Sequence, residues 1–249
     1  MKNKKIILAF AILAVAVISA LVMLLAGGSG QVLKIAVSKE DLSPFTFFDE
    51  NGQASGFETE LLKKAAEKAG FEVEIVKISR GDGLKALQNG EADIFIGALS
   101  GGENQTAAYT EPYIKDGLVF ISKDGISSKE QLKDKSVAVL KDGAAYMTYG
   151  FDASFRDSIA EWTAYSSTED MFTALENGSV DCVIAEKSFA EGKDFETADD
   201  GVTSEISAFL GKSSQKFSEK LRKALDTLKE DGTASELSLK WFRQDMVNR

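Results

Sequence analysis

The polar residues best placed to bind something lie between Glu91 and Tyr113. Residues 93–99, Asp-Ile-Phe-Ile-Gly-Ala-Leu, form an apolar run without polar alternation. Such a run predicts a parallel strand covered on both faces. Gly97 lies within it, and it breaks into Ser100-Gly101-Gly102-Glu103-Asn104-Gln105-Thr106. Loops at the carboxyl ends of strands are where open α/β sheets bind ligands. This loop offers hydroxyls, amides and one acid, which is the chemistry of hydrogen bonding rather than of bond breaking. Tyr109-Thr110-Glu111-Pro112-Tyr113 and the apolar run 118–121 follow, an order that carries the chain out of one lobe and into another.

Other chemistry is narrowed by what the chain contains. It has no histidine, so imidazole metal sites and histidine general catalysis are excluded. Cys182 is the single cysteine and sits in an apolar run; it reads as a buried small hydrophobe, with nothing to activate it as a nucleophile. No phosphate-binding loop and no activated serine pattern occurs. The net charge is −10, and an acidic body argues against nucleic acid, whose phosphates need a basic face. No cofactor or metal is expected.

The elements that must position these residues follow a regular punctuation. Residues 32–37 read as a first strand, and Asp49-Glu50-Asn51-Gly52 as a turn. Phe57, Leu61, Leu62, Ala65, Ala66 and Ala69 share one helical face, ended by Gly70. Residues 71–75 alternate as strand two, and 82–89 form a short helix closed by Gly90. This β-α-β-α-β order predicts a parallel sheet with right-handed crossovers. The pattern restarts with Ser127 and Glu130 at capping-box spacing, a strand at 136–140, a loop at Asp142-Gly143-Ala144-Ala145 leading into a helix, a helix at 167–175 and an apolar strand at 181–185 ending on Glu186. Leu87-Gln88-Asn89-Gly90 before Asp93 is echoed by Leu175-Glu176-Asn177-Gly178 before Asp181. One more strand near 206–210 and helices at 215–230 and 235–242 complete the chain.

The first thirty residues are of another kind. Lys2, Lys4 and Lys5 precede an apolar run over residues 6–26, broken only by Ser19 and followed by Gly27-Gly28-Ser29-Gly30. This predicts a secretory signal peptide or, since the run is long enough to span a bilayer, an N-terminal membrane anchor. Either leaves the body from Gln31 on the outer side of the membrane, periplasmic or extracellular.

In order and spacing, these features resemble bacterial extracellular solute-binding proteins of family 3, the amino-acid-type periplasmic binding proteins of ABC importers. The resemblance runs from Leu33 to Phe242. It is carried by Pro44-Phe45, Gly56-Phe57-Glu58-Thr59-Glu60-Leu61, Ala86-Leu87-Gln88-Asn89-Gly90 with Asp93, Tyr109-Thr110-Glu111-Pro112-Tyr113, Leu132 with Lys135 and Val137, Ala174-Leu175-Glu176-Asn177-Gly178 with Asp181, and Lys240-Trp241-Phe242. It implies an α/β, two-lobed periplasmic-binding-protein fold of type II, each lobe a mostly parallel sheet flanked by helices. Residues 31–115 with 207–249 would form the first lobe and 116–206 the second, with hinge strands near 113–116 and 204–207. Ligand held in the cleft would be buried by hinge closure.

The resemblance also implies a site, and the sequence departs from it. Family members that bind amino acids carry an arginine after the first-lobe loop, whose fork holds the ligand carboxylate. No arginine lies between residues 92 and 113, and Glu103 falls near that position. The aromatic before Pro-Phe is replaced by Leu42-Ser43, and the aromatic before the second helix by Arg80-Gly81. Gly143-Ala144-Ala145 stands for a Gly-Thr-Thr, keeping N–H groups and losing hydroxyls. Glu186 stands for the acid that meets the ligand ammonium, and Ser100 is retained. The expected ligand-binding set is therefore Leu42, Phe45, Arg80, Gly97, Ser100, Glu103, Ala144, Ala145, Tyr146 and Glu186. Arg80 competes with the reading of a surface arginine, Glu103 with a solvated loop acid, and Phe45 and Tyr146 with packing.

The function implied is an exported, monomeric receptor, not an enzyme, that captures a small polar solute and delivers it to an ABC transporter permease. An acid-rich site of Ser100, Glu103 and Glu186 favours a cationic or amine ligand. Two other readings stay open: an enzyme similar to the cyclohexadienyl dehydratases, with Glu186 as acid, and a membrane-tethered sensor or partner module with a degenerate site.

Overall fold

A computed structural model describes residues 31–101 and 107–247. The N-terminal segment, where a signal peptide or membrane anchor is expected, and Glu103 lie outside the described residues. Among the described residues, no helix is long and apolar enough to cross a membrane.

The first half begins with β1 (Val32–Ser38), a small hairpin of β2 (Phe47–Phe48) and β3 (Ala54–Ser55), helix α1 (Phe57–Lys68) and β4 (Glu72–Ile78). A single 3-10 turn, Arg80–Asp82, leads into α2 (Gly83–Asn89) and β5 (Ile94–Ser100). After β6 (Ala108–Tyr109), the long β7 (Ile114–Ser122) crosses to the second half. There follow β8 (Ser136–Leu140), α3 (Ala144–Tyr149), α4 (Ala153–Ser158), β9 (Glu161–Tyr165), α5 (Thr168–Glu176), β10 (Cys182–Glu186) and α6 (Lys187–Ala190). The fifteen-residue β11 (Glu196–Leu210) returns, and α7 (Gln215–Glu230) and α8 (Thr233–Phe242) close the chain.

One sheet runs through the molecule in the order β4-β1-β5-β11-β7-β10-β8-β9, with β6 on β11. Each end is a parallel triplet, β4-β1-β5 and β10-β8-β9. The antiparallel pair β7 and β11 joins them. The parallel triplets are those that the β-α-β order predicts. Their apolar runs alternate between two cores, because side chains of a strand point to opposite faces. Ile94, Ile96 and Ala98 of β5 enter a core that extends through both halves, while Phe95 and Leu99 pack with Leu87 and Phe209 on the other side. In β10, Val183 and Ala185 join the shared core, and Cys182 and Ile184 pack with Val137 and Tyr149. Cys182 is buried and burial pushes its thiol up to about 12, as an inert hydrophobe requires.

α1 buries Phe57, Leu61, Leu62, Ala65 and Ala66, the face set out by their spacing. Three features differ from sequence expectation. The turn at Lys129–Leu132 is 3-10, and Ser127 donates from its N–H and hydroxyl to the Gln131 carboxamide rather than forming a capping box with Glu130. β9, a half-exposed strand rich in polar residues, is held by its register on β8. The strand expected at 206–210 starts ten residues earlier, because its polar N-terminal part pairs along β7.

Candidate functional site

The structure places Arg80, on the 3-10 turn after β4, only 1 % exposed. Its backbone N–H donates to Glu40 Oε2 at 3.0 Å, and the same carboxylate accepts from Ser38 Oγ at 2.7 Å and Ser79 Oγ at 3.2 Å. Burial works to raise the Glu40 pKa, but these bonds outweigh it and the net shift is downward. Thus anchored, the side chain reaches between the two halves. Nε donates to the Lys141 carbonyl, just past β8, at 2.7 Å, and Nη2 donates to the Ala98 carbonyl of β5 at 3.2 Å. Nη1 is buried and has no hydrogen-bond partner among the described residues. Burial lowers the pKa of the guanidinium, and the carboxylates of Asp142, Glu186, Glu58 and Glu40 oppose that shift. An arginine stays charged under such opposition.

A bulge in β5 makes this geometry possible. Against β11, Leu99 pairs with Ser207 but Phe95 pairs with Phe209, so Ile96, Gly97 and Ala98 of β5 stand opposite Ala208 alone and β5 carries two extra residues. Ala98 takes a left-handed φ of 52°, which is uncommon for a residue with a side chain and recurs near functional sites. Glu58, fully buried at the start of α1, accepts the Ala98 N–H at 2.7 Å and the Tyr113 hydroxyl at 2.5 Å. Gly97 gives the guanidinium room: a Cβ there would lie 3.1 Å from Arg80 Nη1, 3.3 Å from Leu42 Cδ1 and 3.4 Å from Ser38 Cβ.

The opposite sign comes from β10. Glu186 is 1 % exposed, and its Oε1 accepts from the Ala144 N–H at 3.3 Å and Ser204 Oγ at 3.2 Å. Burial raises its pKa, the Asp116 carboxylate adds to that rise, and the hydrogen bonds to it work the other way. Arg80 and Glu186, both among the residues expected from the sequence, are thus a buried cation and a buried acid that act on one another's surroundings.

Over residues 33–244 the chain matches the family model of bacterial extracellular solute-binding proteins, family 3. The chain belongs to this family. A curated relative, the amino-acid-binding protein AabA of Dichelobacter nodosus, is 27% identical over 232 residues, covering 86% of this chain and 89% of that protein. A solved substrate-binding protein of an ABC uptake transporter from Streptococcus pneumoniae, with bound histidine, superposes with a TM-score of 0.78 at 20% identity, over 88% of this chain and 95% of that one. An ancestral amino-acid-binding protein, described as a precursor of cyclohexadienyl dehydratase, gives 0.74 at 24% identity, over 85% and 95% of the two chains. The two-lobed α/β fold and the solute-binding role follow from this membership.

Within this solute-binding protein the remaining candidates divide. Leu42 is fully buried beside Gly97. Ser100 sits where the halves meet: its N–H donates to the Asp142 carbonyl at 3.4 Å, while its hydroxyl is held by the Glu205 carbonyl at 3.0 Å. Ala144 and Ala145 are buried at the start of α3, and only the N–H of Ala144 bonds Glu186. Phe45 is a packing residue, its ring 5.0 Å from that of Phe189 and 5.1 Å from that of Phe242. Tyr146 is half-buried with its ring edge-on to Phe151. Glu58 and Ser204 belong to the site's frame, although the sequence marks them only as motif and hinge positions. A buried acid in a Gly-Phe-acid motif at a helix start was the available signal for Glu58. Among the described residues, no group of three or more acids or cysteines is arranged to hold a metal.

Proposed function

We propose that this solute-binding protein captures a free α-amino acid between its two halves, the carboxylate on Arg80 and the ammonium on Glu186, and delivers it as an exported monomer to an ABC importer in the membrane. Residues 31–115 with 207–249 act as one lobe and 116–206 as the other, with β7 and β11 as the connecting strands. The observation that supports the reading is the buried Nη1 of Arg80, a charged donor without a partner among the described residues, with the buried Glu186 carboxylate acting on the same guanidinium. A buried donor left unpaired costs about 1–3 kcal/mol, which a ligand carboxylate would recover. Arg80 to Lys141, Ser100 to Asp142, and Thr168 Oγ1 to the Asp41 carbonyl at 2.9 Å are contacts that closing the lobes would make. The arginine missing from the loop after β5 is thereby replaced from the turn before α2. Relatives named for amino-acid and histidine binding support the same solute class.

A binder is favoured over an enzyme by the relatives, which are named as amino-acid- and arginine-binding proteins. Melting temperature against a panel of amino acids, simple amines and carboxylic acids tests the proposal. A ligand of the folded state stabilises it by RT ln(1 + [L]/Kd), about 2.7 kcal/mol at a hundredfold excess over Kd. The expected shift comes with compounds carrying both an α-ammonium and an α-carboxylate. A shift with amines alone would return the site to the acid-rich, cation-binding reading.

A further inference from the structure

Ala98 is a residue held at both of its backbone polar groups, one in each of the peptide units that flank it. The β5 bulge removes the Ala98 N–H from the ladder with β11, and a buried amide left without a partner is costly. Glu58 takes that N–H at 2.7 Å, and the Gly97 N–H also acts on its charge. On the far side of the same residue, the Ala98 carbonyl takes Arg80 Nη2 at 3.2 Å. The second oxygen of Glu58 accepts the Tyr113 hydroxyl at 2.5 Å, and Tyr113 immediately precedes β7, the strand that leaves for the other half. Glu58, Tyr113 and Arg80 are each 1 % exposed or less. Burial raises the Glu58 pKa, opposed by its bonds to Tyr113 and Ala98 and by the charge of Arg80; burial and the Glu58 charge hold Tyr113 well above its ordinary value.

We propose that Glu58 is the positioning residue for Arg80: by holding the N–H of the bulged Ala98 it fixes that residue, on whose carbonyl the guanidinium is anchored, and through Tyr113 it ties that anchor to the crossing strand. It touches no solute and acts through Ala98. The inference deepens the reading of Arg80 as the carboxylate clamp and rests on it for its bearing on solute binding.

The test follows the Arg80 Nη2–H, the group that donates to the Ala98 carbonyl, by nuclear magnetic resonance on the full chain, without added solute. The signal is assigned by its loss in Arg80→Lys. Glu58→Asp keeps a carboxylate but is one methylene short of spanning both Ala98 and Tyr113, and Tyr113→Phe removes one hydroxyl from a packed ring. Exchange of the Arg80 Nη2–H with water is expected to quicken about tenfold in Glu58→Asp and about threefold in Tyr113→Phe, with the other arginines unchanged. A purely structural Glu58 would lower the melting temperature and leave Arg80 exchange at the wild-type rate in both variants, and that result overturns the proposal. The clamp reading fails separately: if Arg80→Lys keeps the full amino-acid melting shift, Arg80 is not the clamp, whatever its exchange shows.

Discussion

The two halves solve the same problem at the start of their central strands and different problems at the end. In the first, Gly90 turns left-handed at φ 73°, the N–H groups of Glu91 and Ala92 return to the Ala86 carbonyl, and Asp93 exchanges bonds with Lys34, N–H to carbonyl at 2.9 Å and carboxylate to N–H at 2.9 Å. In the second, Gly178 has φ 78°, Ser179 and Val180 return to Ala174, and Asp181 exchanges bonds with Ser136 at 3.0 and 2.8 Å. Each device fixes where an apolar strand begins, and therefore where its far end emerges. There the likeness stops. β5 bulges and receives Arg80, whereas β10 runs straight and presents Glu186. The frame is repeated and the chemistry is divided, one charge to each half.

The largest expected effect comes from removing the charge of the first half. Arg80→Met should weaken amino-acid affinity about a hundredfold or more, measured by calorimetry, since losing one partner of a buried ionic contact costs about 2–5 kcal/mol. The solute-free protein should also lose about 3–5 kcal/mol of stability, because buried carboxylates including Glu58 and Glu186 lose a compensating cation. Large destabilisation with unchanged affinity would make Arg80 a structural residue and dissolve the division of charge.

Glu186→Gln removes the charge of the second half and should weaken affinity about thirtyfold, the scale of a hydrogen bond to a charged group. Its pH dependence has a definite sign. Burial, with Asp116, holds the folded pKa of Glu186 above the ordinary 4.5. The folded state therefore binds more protons than the unfolded state in the window above 4.5, and stability contributed by this group is lost as pH rises through the folded pKa. An ammonium solute needs the ionised form, so wild-type affinity should rise with pH over that same window. In Glu186→Gln the affinity slope should be absent, while the stability slope should only shrink, since burial also raises the Glu58 pKa; a persisting affinity slope would assign the binding titration to another acid.

Sequence made the repeated frame legible and the divided chemistry only partly so. Unbroken apolar runs marked β5 and β10 because both of their faces are covered, and α1 was readable because its buried face recurs at helical spacing. Those signals are local. Burial of Arg80 is not local: it depends on a bulge in β5, on Gly97 lacking a side chain, and on carboxylates from four separate segments. An arginine between a strand and a short helix otherwise reads as solvated. β9 and the first part of β11 were obscure for a related reason, since their residues are half-exposed or exposed, without an unbroken apolar run, and only distant partners hold them extended. Phe45 shows the reverse. Its place beside Pro44 suggested a cleft wall, yet Phe189 and Phe242 close over it.

A smaller asymmetry tests the frame. Asp181 accepts the Ser136 N–H and hydroxyl and lies 3.5 Å from Lys135 Nζ, whereas the bond recorded to Asp93 comes from the Lys34 N–H. Asp181→Ala should cost about 2 kcal/mol in denaturant unfolding and Asp93→Ala about 1 kcal/mol, counting roughly one unit per lost bond. The Asp181 pKa is lowered, first by the Ser136 N–H. Its contribution is therefore present above the ordinary 3.8 and fades as pH falls through the folded value. Equal costs would mean that the extra hydroxyl adds nothing at this half-exposed position.

The finest test concerns the two glycines, where the halves should be indistinguishable. A Cβ added at Gly90 or at Gly178 would meet nothing within 4 Å, so alanine there creates no clash. What remains is the cost of holding a side-chain-bearing residue in the left-handed region, about 1 kcal/mol, set against the smaller entropy that alanine loses on folding. Both terms are properties of the backbone conformation, and φ differs by only a few degrees between the sites. Gly90→Ala and Gly178→Ala should destabilise equally and, being far apart in sequence and on different strands' approaches, additively to within about 0.5 kcal/mol. Solute affinity should not change in either. A markedly larger cost at one of them, or a loss of affinity, would show that one turn is coupled to the site at the far end of its strand, and the two frames would then not be equivalent.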